Sequence, residues 1–229
     1  MSETFDAYRK SYGSAVEQSV AFTGLAHEFF LRAKIELMDE MLKTRQFDPS
    51  DKHLVDVGCG VGSMHDLLMP MFGRITGVDT SSESIAEARD RHPANVYESY
   101  DGQRLPLSDR SVDFALTVCV IHHVPVVQWQ SFVDEMRRVV RPGGFICIIE
   151  HNPLNPLTRL GVARCAFDAD AVLLGKARTE ALMRQSGIVD VETRYFLLSP
   201  FAVRPLQAIE RAFARLPLGG QYLTLGMVR

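Results

Sequence analysis

Leu54-Val55-Asp56-Val57-Gly58-Cys59-Gly60-Val61-Gly62 runs an apolar strand into a turn with three alternating glycines, and Asp79 ends the next apolar run. Glycine lacks a Cβ, so the backbone can turn sharply there and pass close beneath a ligand. A carboxylate at the tip of the second strand can accept hydrogen bonds from both hydroxyls of a ribose. Together these features predict a pocket for an adenosine-type cofactor.

Outward from this turn, strands and helices alternate. The sequence predicts strands over 53–57, 74–78, 95–99, 111–120 and 145–150. Helices are expected over 63–71, from Thr80-Ser81-Ser82-Glu83 onward, where hydroxyls can cap free N–H groups, and over 129–140, stopped by Arg141-Pro142-Gly143-Gly144. This alternation predicts a parallel α/β sheet wrapped on both faces, with its ligand beyond the carboxyl ends of the strands. Positions 58–62, 79–80, 101–102, 119–123 and 150–152 all fall at such ends. Residues 1–50 read as an N-terminal helical cap or lid, closed by the turn Asp48-Pro49-Ser50-Asp51, and 51–229 as the core. Helices near 156–166, 178–186 and 203–215 and strands over 188–198 and 220–228 complete the pattern. Substrate-side additions are expected at about 151–178 and 199–219.

Bulk properties narrow the function classes. The chain has 229 residues and a formal charge of −3, which argues against a nucleic-acid partner that a basic face would attract. No apolar run approaches the roughly 18 residues that a membrane span needs. The N-terminus has no basic segment followed by an apolar one, so a signal peptide is not expected and a cytoplasmic location is. Cys59, Cys119, Cys147 and Cys165 show no paired spacing, which predicts neither disulfides nor structural zinc. Along the sequence, His27, His53, His65 and His92 show no ligand-like neighbours and no acidic cluster has metal-ligand spacing, so metal-independent chemistry is expected.

The turn is G-x-G-x-G rather than G-x-G-x-x-G, and Asp56 precedes it. A carboxylate there would repel a pyrophosphate but suits the ammonium and sulfonium of S-adenosylmethionine. Further segments extend this reading: Asp101-Gly102 with Leu105-Pro106-Leu107 and Ser111-Val112-Asp113-Phe114, then Cys119-Val120-Ile121-His122-His123-Val124, then Arg138-Val139-Val140-Arg141-Pro142-Gly143-Gly144. In this order they resemble the motifs of class I S-adenosylmethionine-dependent methyltransferases of the small-molecule type, over about residues 50–150. The resemblance implies a Rossmann-like, seven-stranded, mostly parallel sheet whose last strand is antiparallel. It implies transfer of a methyl group to a small-molecule or lipid-like acceptor at O, N or C, in metabolism or natural-product biosynthesis. A monomer or homodimer is expected, and two rivals stand beside this reading: an NAD(P)-dependent oxidoreductase on a similar sheet, and a non-catalytic S-adenosylmethionine-binding subunit.

Residue roles follow. Gly58, Gly60 and Gly62 pass beneath the methionine part of the cofactor, with Asp56 and the small Cys59 beside them. Asp79, with Thr80, takes the ribose rather than only capping a helix. By resemblance Asp101, with Gly102, accepts from the adenine amino group, the alternative being a loop carboxylate that starts a turn, and Cys119 begins the segment lining the methionine side. The position of His122 and His123 sets at least one of them beside the transferable methyl, where one either accepts a proton or merely packs and positions substrate. Glu150 and His151 end the fifth strand, where they either orient a substrate amine or hydroxyl or anchor a loop. Tyr8, Tyr12 and Phe22, with Phe29 and Phe30, are lid candidates that close over the cofactor and shape the acceptor pocket, or simply pack in a core.

Overall fold

In the computed structural model, residues 27–165, 168–198 and 214–229 are described. Seven strands form one sheet: β1 (His53–Val57), β2 (Arg74–Asp79), β3 (Val96–Ser99), β4 (Val112–Val118), β5 (Val140–His151), β6 (Ile188–Phe196) and β7 (Gln221–Val228), in the spatial order β3-β2-β1-β4-β5-β7-β6. All neighbouring pairs from β3 to β5 are parallel, and β7 runs antiparallel to both β5 and β6. The expected Rossmann-like sheet with an antiparallel last strand is the observed one. Strand order reverses between β1 and β4, which makes their carboxyl ends the switch-point crevice.

Period-two alternation sends successive side chains to opposite faces. From β4 and β5, Ala115, Ile146 and Ile148 join one core with Trp129, Val133 and Met136 of α4 (Trp129–Val139) and Leu182 and Met183 of α6 (Lys176–Gln185). Phe114, Leu116, Phe145, Cys147 and Ile149 join the other, with Met38, Met41 and Leu42 of α1 (His27–Thr44) and Leu68 of α2 (His65–Leu68). Burying a side chain of this size stabilises by about 1.5–3 kcal/mol, so the two faces together specify which way each strand points.

Several boundaries differ from the sequence reading. The helix expected over 63–71 is a single turn, α2, because the glycine turn continues through Gly62 and donates to Cys59 O before the helix can start. Strand β5 begins at Val140: Val112 pairs with Val140 and Phe114 with Phe145, so Arg141-Pro142-Gly143-Gly144 bulges from the strand instead of preceding it. At its base a Cβ on Gly144 would stand 2.4 Å from Asp113 O. Helix α3 (Ser82–Arg91) starts as expected, with Ser81 accepting from Ser84 N–H. Helix α5 (Pro156–Arg164) is capped by Asn155, which accepts from Leu157 and Thr158 N–H. The helix expected over 203–215 lies almost wholly outside the described residues, as do Tyr8, Tyr12 and Phe22. Phe29 and Phe30 meet edge to face on α1.

Candidate active site

The glycine turn is tied to the strand beside it. Gly58 and Cys59 N–H both donate to Val78 O (2.8 and 3.1 Å). Gly58 has φ +79°, and a Cβ there would come within 2.5 Å of Val120 Cγ2 in the segment after β4. This glycine therefore lets the β1 and β4 ends touch across the switch point. Gly60, at φ +54°, has no heavy atom within 4 Å of where its Cβ would be, so the turn has an open, side-chain-free surface.

Asp79 closes one side of that opening. Its Oδ2 accepts from Gly60 N–H (2.8 Å) and its Oδ1 from Ser81 N–H (2.9 Å). Each oxygen keeps acceptor capacity for a further donor. Burial raises the Asp79 pKa, and the two backbone donors offset part of that rise. A Cβ on Gly102 would lie 3.3 Å from Thr80 Cγ2, so the 79–80 and 101–102 corners meet. Asp101 Oδ1 accepts from Gln103 and Arg104 N–H, which shapes a tight turn and lowers its pKa. Asp56 is buried, with Oδ2 3.1 Å from His65 Nε2, and His65 Nδ1 lies 2.6 Å from the Tyr97 hydroxyl. His92 Nε2 reaches Gly62 O (3.1 Å). These two histidines, given no role by the sequence reading, brace the turn from below. Cys59 is mostly enclosed, and burial raises its thiol pKa well above the usual value, as expected of a small packed residue rather than a nucleophile.

A second polar group stands across the switch point. Cys119, the residue just after β4, is in the left-handed region (φ +56°), an uncommon conformation for a residue with a Cβ. Glu150, fully buried, accepts from the N–H of Val120 (3.1 Å) and Ile121 (2.8 Å) through Oε1, while Oε2 meets His122 Nδ1 at 2.5 Å. Both oxygens are thus engaged in holding the 3₁₀ turn Ile121–His123, which is the loop-anchoring alternative. On its other side His122 Nε2 is 3.5 Å from Asp168 Oδ1, and His123 Nε2 is 3.4 Å from the same oxygen. Burial pulls the His122 pKa down, but Glu150 and Asp168 outweigh it and hold the pKa at about 10. Burial and the neighbouring His122 charge push both His123 and His151 down to about 4. His122 is therefore an imidazolium fixed between carboxylates, while His123 and His151 are neutral at pH 7.

The sequence pattern placed His122, His123, Glu150 and His151 at neighbouring strand ends but gave no sign of Asp168, Gln221 or Lys34. Gln221 Nε2 lies 3.3 Å from His151 Nδ1 and 3.5 Å from Cys119 Sγ, and its buried Oε1 has no hydrogen-bond partner among the described residues. Lys34, on α1, is 5% exposed, burial lowers its pKa, and its charge acts on Cys119 and His151. Asp168 comes from a loop after α5, and Val172 N–H of that loop donates to His122 O (2.8 Å). His122, His123 and Asp168 each bring one donor atom within 4.8 Å of the others, a grouping that spacing along the chain could not reveal. Among the described residues no helix is long and apolar enough to cross a membrane, and all four cysteines are free.

A family model described as a methyltransferase domain matches residues 55–148, the stretch that holds the glycine turn, Asp79, Asp101 and the turn Ile121–His123. The chain is 31% identical over 145 residues to a probable S-adenosylmethionine-dependent methyltransferase of Mycolicibacterium smegmatis, covering 58% of this chain and 54% of that protein. It is 34% identical over 112 residues to the fatty-acid O-methyltransferase of the same organism, covering 47% and 40%. The chain thus spans about half or less of the length of these relatives. Its fold is similar to the crystal structure of an S-adenosylmethionine-dependent methyltransferase from Thermotoga maritima, with TM-score 0.73, 18% identity and all of both chains covered. The glycine turn, the position of Asp79 at the end of β2 and the strand order agree with these matches, and over residues 55–148 the chain is similar to the methyltransferase-domain family.

Proposed function

We propose that this protein transfers the methyl group of S-adenosylmethionine to a small-molecule or lipid-like acceptor, at oxygen, nitrogen or carbon. The observation that carries the reading is the contact of Gly58 with Val120, which joins an open cofactor cradle to a buried polar cluster at the adjacent strand ends. The donor set fits the cofactor: a bare backbone surface at Gly60, the Asp79 carboxylate for ribose hydroxyls, Asp101 for the adenine amino group, and Asp56 for the methionine ammonium.

When bound, S-adenosylmethionine supplies a methyl group activated on a sulfonium. The chain's own residues then align and desolvate the acceptor, which accounts for much of the acceleration in such transfers. Where the acceptor carries a proton, His151 takes it: the imidazole is neutral, and its lone pair is on Nδ1, which Gln221 Nε2 faces at 3.3 Å, so the acceptor's hydrogen bond to Nδ1 takes the place of that amide. His122 is excluded from that role because both its nitrogens face carboxylates, so it acts as a positioning residue. Residues 1–50 and the additions at about 151–178 and 199–219 supply the acceptor pocket and its lid.

An apolar acceptor is favoured by Leu154 and Leu157, 69% and 55% exposed on the segment leaving the carboxyl end of β5, and by the similarity to a fatty-acid O-methyltransferase. The test is incubation with S-adenosylmethionine carrying a labelled methyl group and a panel of fatty acids, phenols and amines. Label in an organic-extractable product supports the reading. Cofactor binding with no transfer to any of the panel favours the non-catalytic subunit instead.

A further inference from the structure

We propose that His122, His123 and Asp168 bind one divalent first-row transition-metal ion of the Zn²⁺ class. The inference stands apart from the methyl-transfer reading, since its test reads metal binding and not turnover.

The spacing of the three groups is the first argument. Asp168 Oδ1 lies 3.5 Å from His122 Nε2 and 3.4 Å from His123 Nε2. Charge-assisted N–H···O bonds are shorter, about 2.7–2.9 Å. Two ligands on a tetrahedral Zn²⁺, each bonded at about 2.0–2.1 Å, stand about 3.3 Å apart. One carboxylate oxygen thus sits at ligand-to-ligand distance from two imidazole nitrogens, with all three donor atoms within 4.8 Å of one another.

The surroundings give a second, separate argument. Metal-bound histidines commonly give their other ring N–H to a carboxylate, which fixes the tautomer and turns the lone pair toward the ion. Glu150 Oε2 at 2.5 Å from His122 Nδ1 provides that partner, and Glu150 is itself held by the N–H groups of Val120 and Ile121. The Asp168 loop is fastened to the same turn through Val172 N–H and His122 O. The third ligand therefore depends on no chance encounter of mobile side chains.

Charge supplies the third argument. Glu150 and Asp168 bring two carboxylates into a region where His122 is 1% exposed and Asp168 is 12% exposed. A divalent ion held between the two histidines lies against both carboxylates, within reach of Asp168 directly and of Glu150 through His122. Two nitrogens and one oxygen suit a borderline ion such as Zn²⁺ better than Mg²⁺ or Ca²⁺, which prefer oxygen. Three protein ligands also leave a position for water or an acceptor oxygen, the arrangement of catalytic rather than structural zinc.

The experiment uses the full chain without a polyhistidine tag, stripped with a chelator. Zn²⁺ is titrated calorimetrically, and Co²⁺ is titrated while its visible absorption is followed. One equivalent bound with a Kd of about 1 μM or tighter is expected, with the intense absorption of low-coordinate Co²⁺. Asp168→Asn and His123→Ala should each weaken binding at least tenfold, and Glu150→Gln, which touches no ion, by about 10–100-fold. Circular dichroism confirms that each variant is folded. Absence of stoichiometric binding by the wild-type chain overturns the proposal whatever the variants do. Wild-type binding that survives unchanged in folded Asp168→Asn and His123→Ala places the ion elsewhere and overturns it as well.

Discussion

Glu150 Oε2 lies 2.5 Å from His122 Nδ1, and each side chain is 1% exposed. A carboxylate buried this deeply must be paired and hydrogen-bonded, and Glu150 meets both conditions through one imidazole and two backbone N–H groups. In the metal-free protein His122 should accordingly stay protonated. Its folded pKa, about 10, is above the ordinary 6.5. The stability it contributes is thus fully present below about 6.5 and is lost as pH rises through about 10. Histidine-side-chain NMR on chelator-treated protein should show one imidazolium signature persisting at pH 8 in the wild type and absent in Glu150→Gln. A full set of histidines titrating near 6.5 contradicts this arrangement.

His151 is the neutral imidazole at the end of β5, with its pKa pushed down to about 4 by burial and by the His122 charge. His151→Ala should lower kcat by about 10²-fold for an acceptor that must lose a proton, with little change in cofactor affinity. Steady-state kinetics with one hydroxyl acceptor checks this, and an unchanged kcat removes His151 from proton transfer.

Gly58→Ala places a Cβ 2.5 Å from Val120 Cγ2 and puts an alanine at φ +79°. The backbone component alone costs about 1–2 kcal/mol. The side-chain overlap adds to it, and only that part should be recovered in the double variant Gly58→Ala/Val120→Ala. Urea denaturation of the four proteins resolves the two contributions. Equal stability of the single and double variants would show that the two loops do not meet there.

The sheet and the glycine turn were legible in the sequence because both rest on local, periodic signals. Apolar runs with alternating faces marked β1, β4 and β5, and three glycines can be read in one turn. The polar half was only partly legible. His122, His123, Glu150 and His151 stand at strand ends that pattern can locate, so they came together as expected. Asp168 and Gln221 reach them from a loop after α5 and from the first residue of β7, contacts separated by 46 and 70 positions from His122 Nε2 and His151. Nothing in the local composition of those segments marks a partner. Lys34 shows the same difficulty in another form: a lysine reads by default as solvated, yet this one shares a helix face with Phe30, Leu31, Leu37 and Met38, and α1 carries it into the protein.

Asp79 accepts one backbone N–H on each oxygen and retains capacity on both. Asp79→Ala removes the carboxylate that would take the ribose hydroxyls, a loss of about 1.5–3 kcal/mol as for other hydrogen bonds to charged groups. Cofactor affinity should fall by about 10–150-fold at that energy. Because the Gly60 N–H also loses its partner, thermal unfolding should be compared alongside, and affinity should fall even where the variant is as stable as the parent.

The most direct test of the account is calorimetric titration of the full chain with S-adenosylhomocysteine, which lacks the methyl group and so reports the cofactor cradle alone. Saturable one-to-one binding, tighter than millimolar and weakened in Asp79→Ala, is the predicted result. No binding at millimolar concentration, or binding indifferent to Asp79, would contradict it.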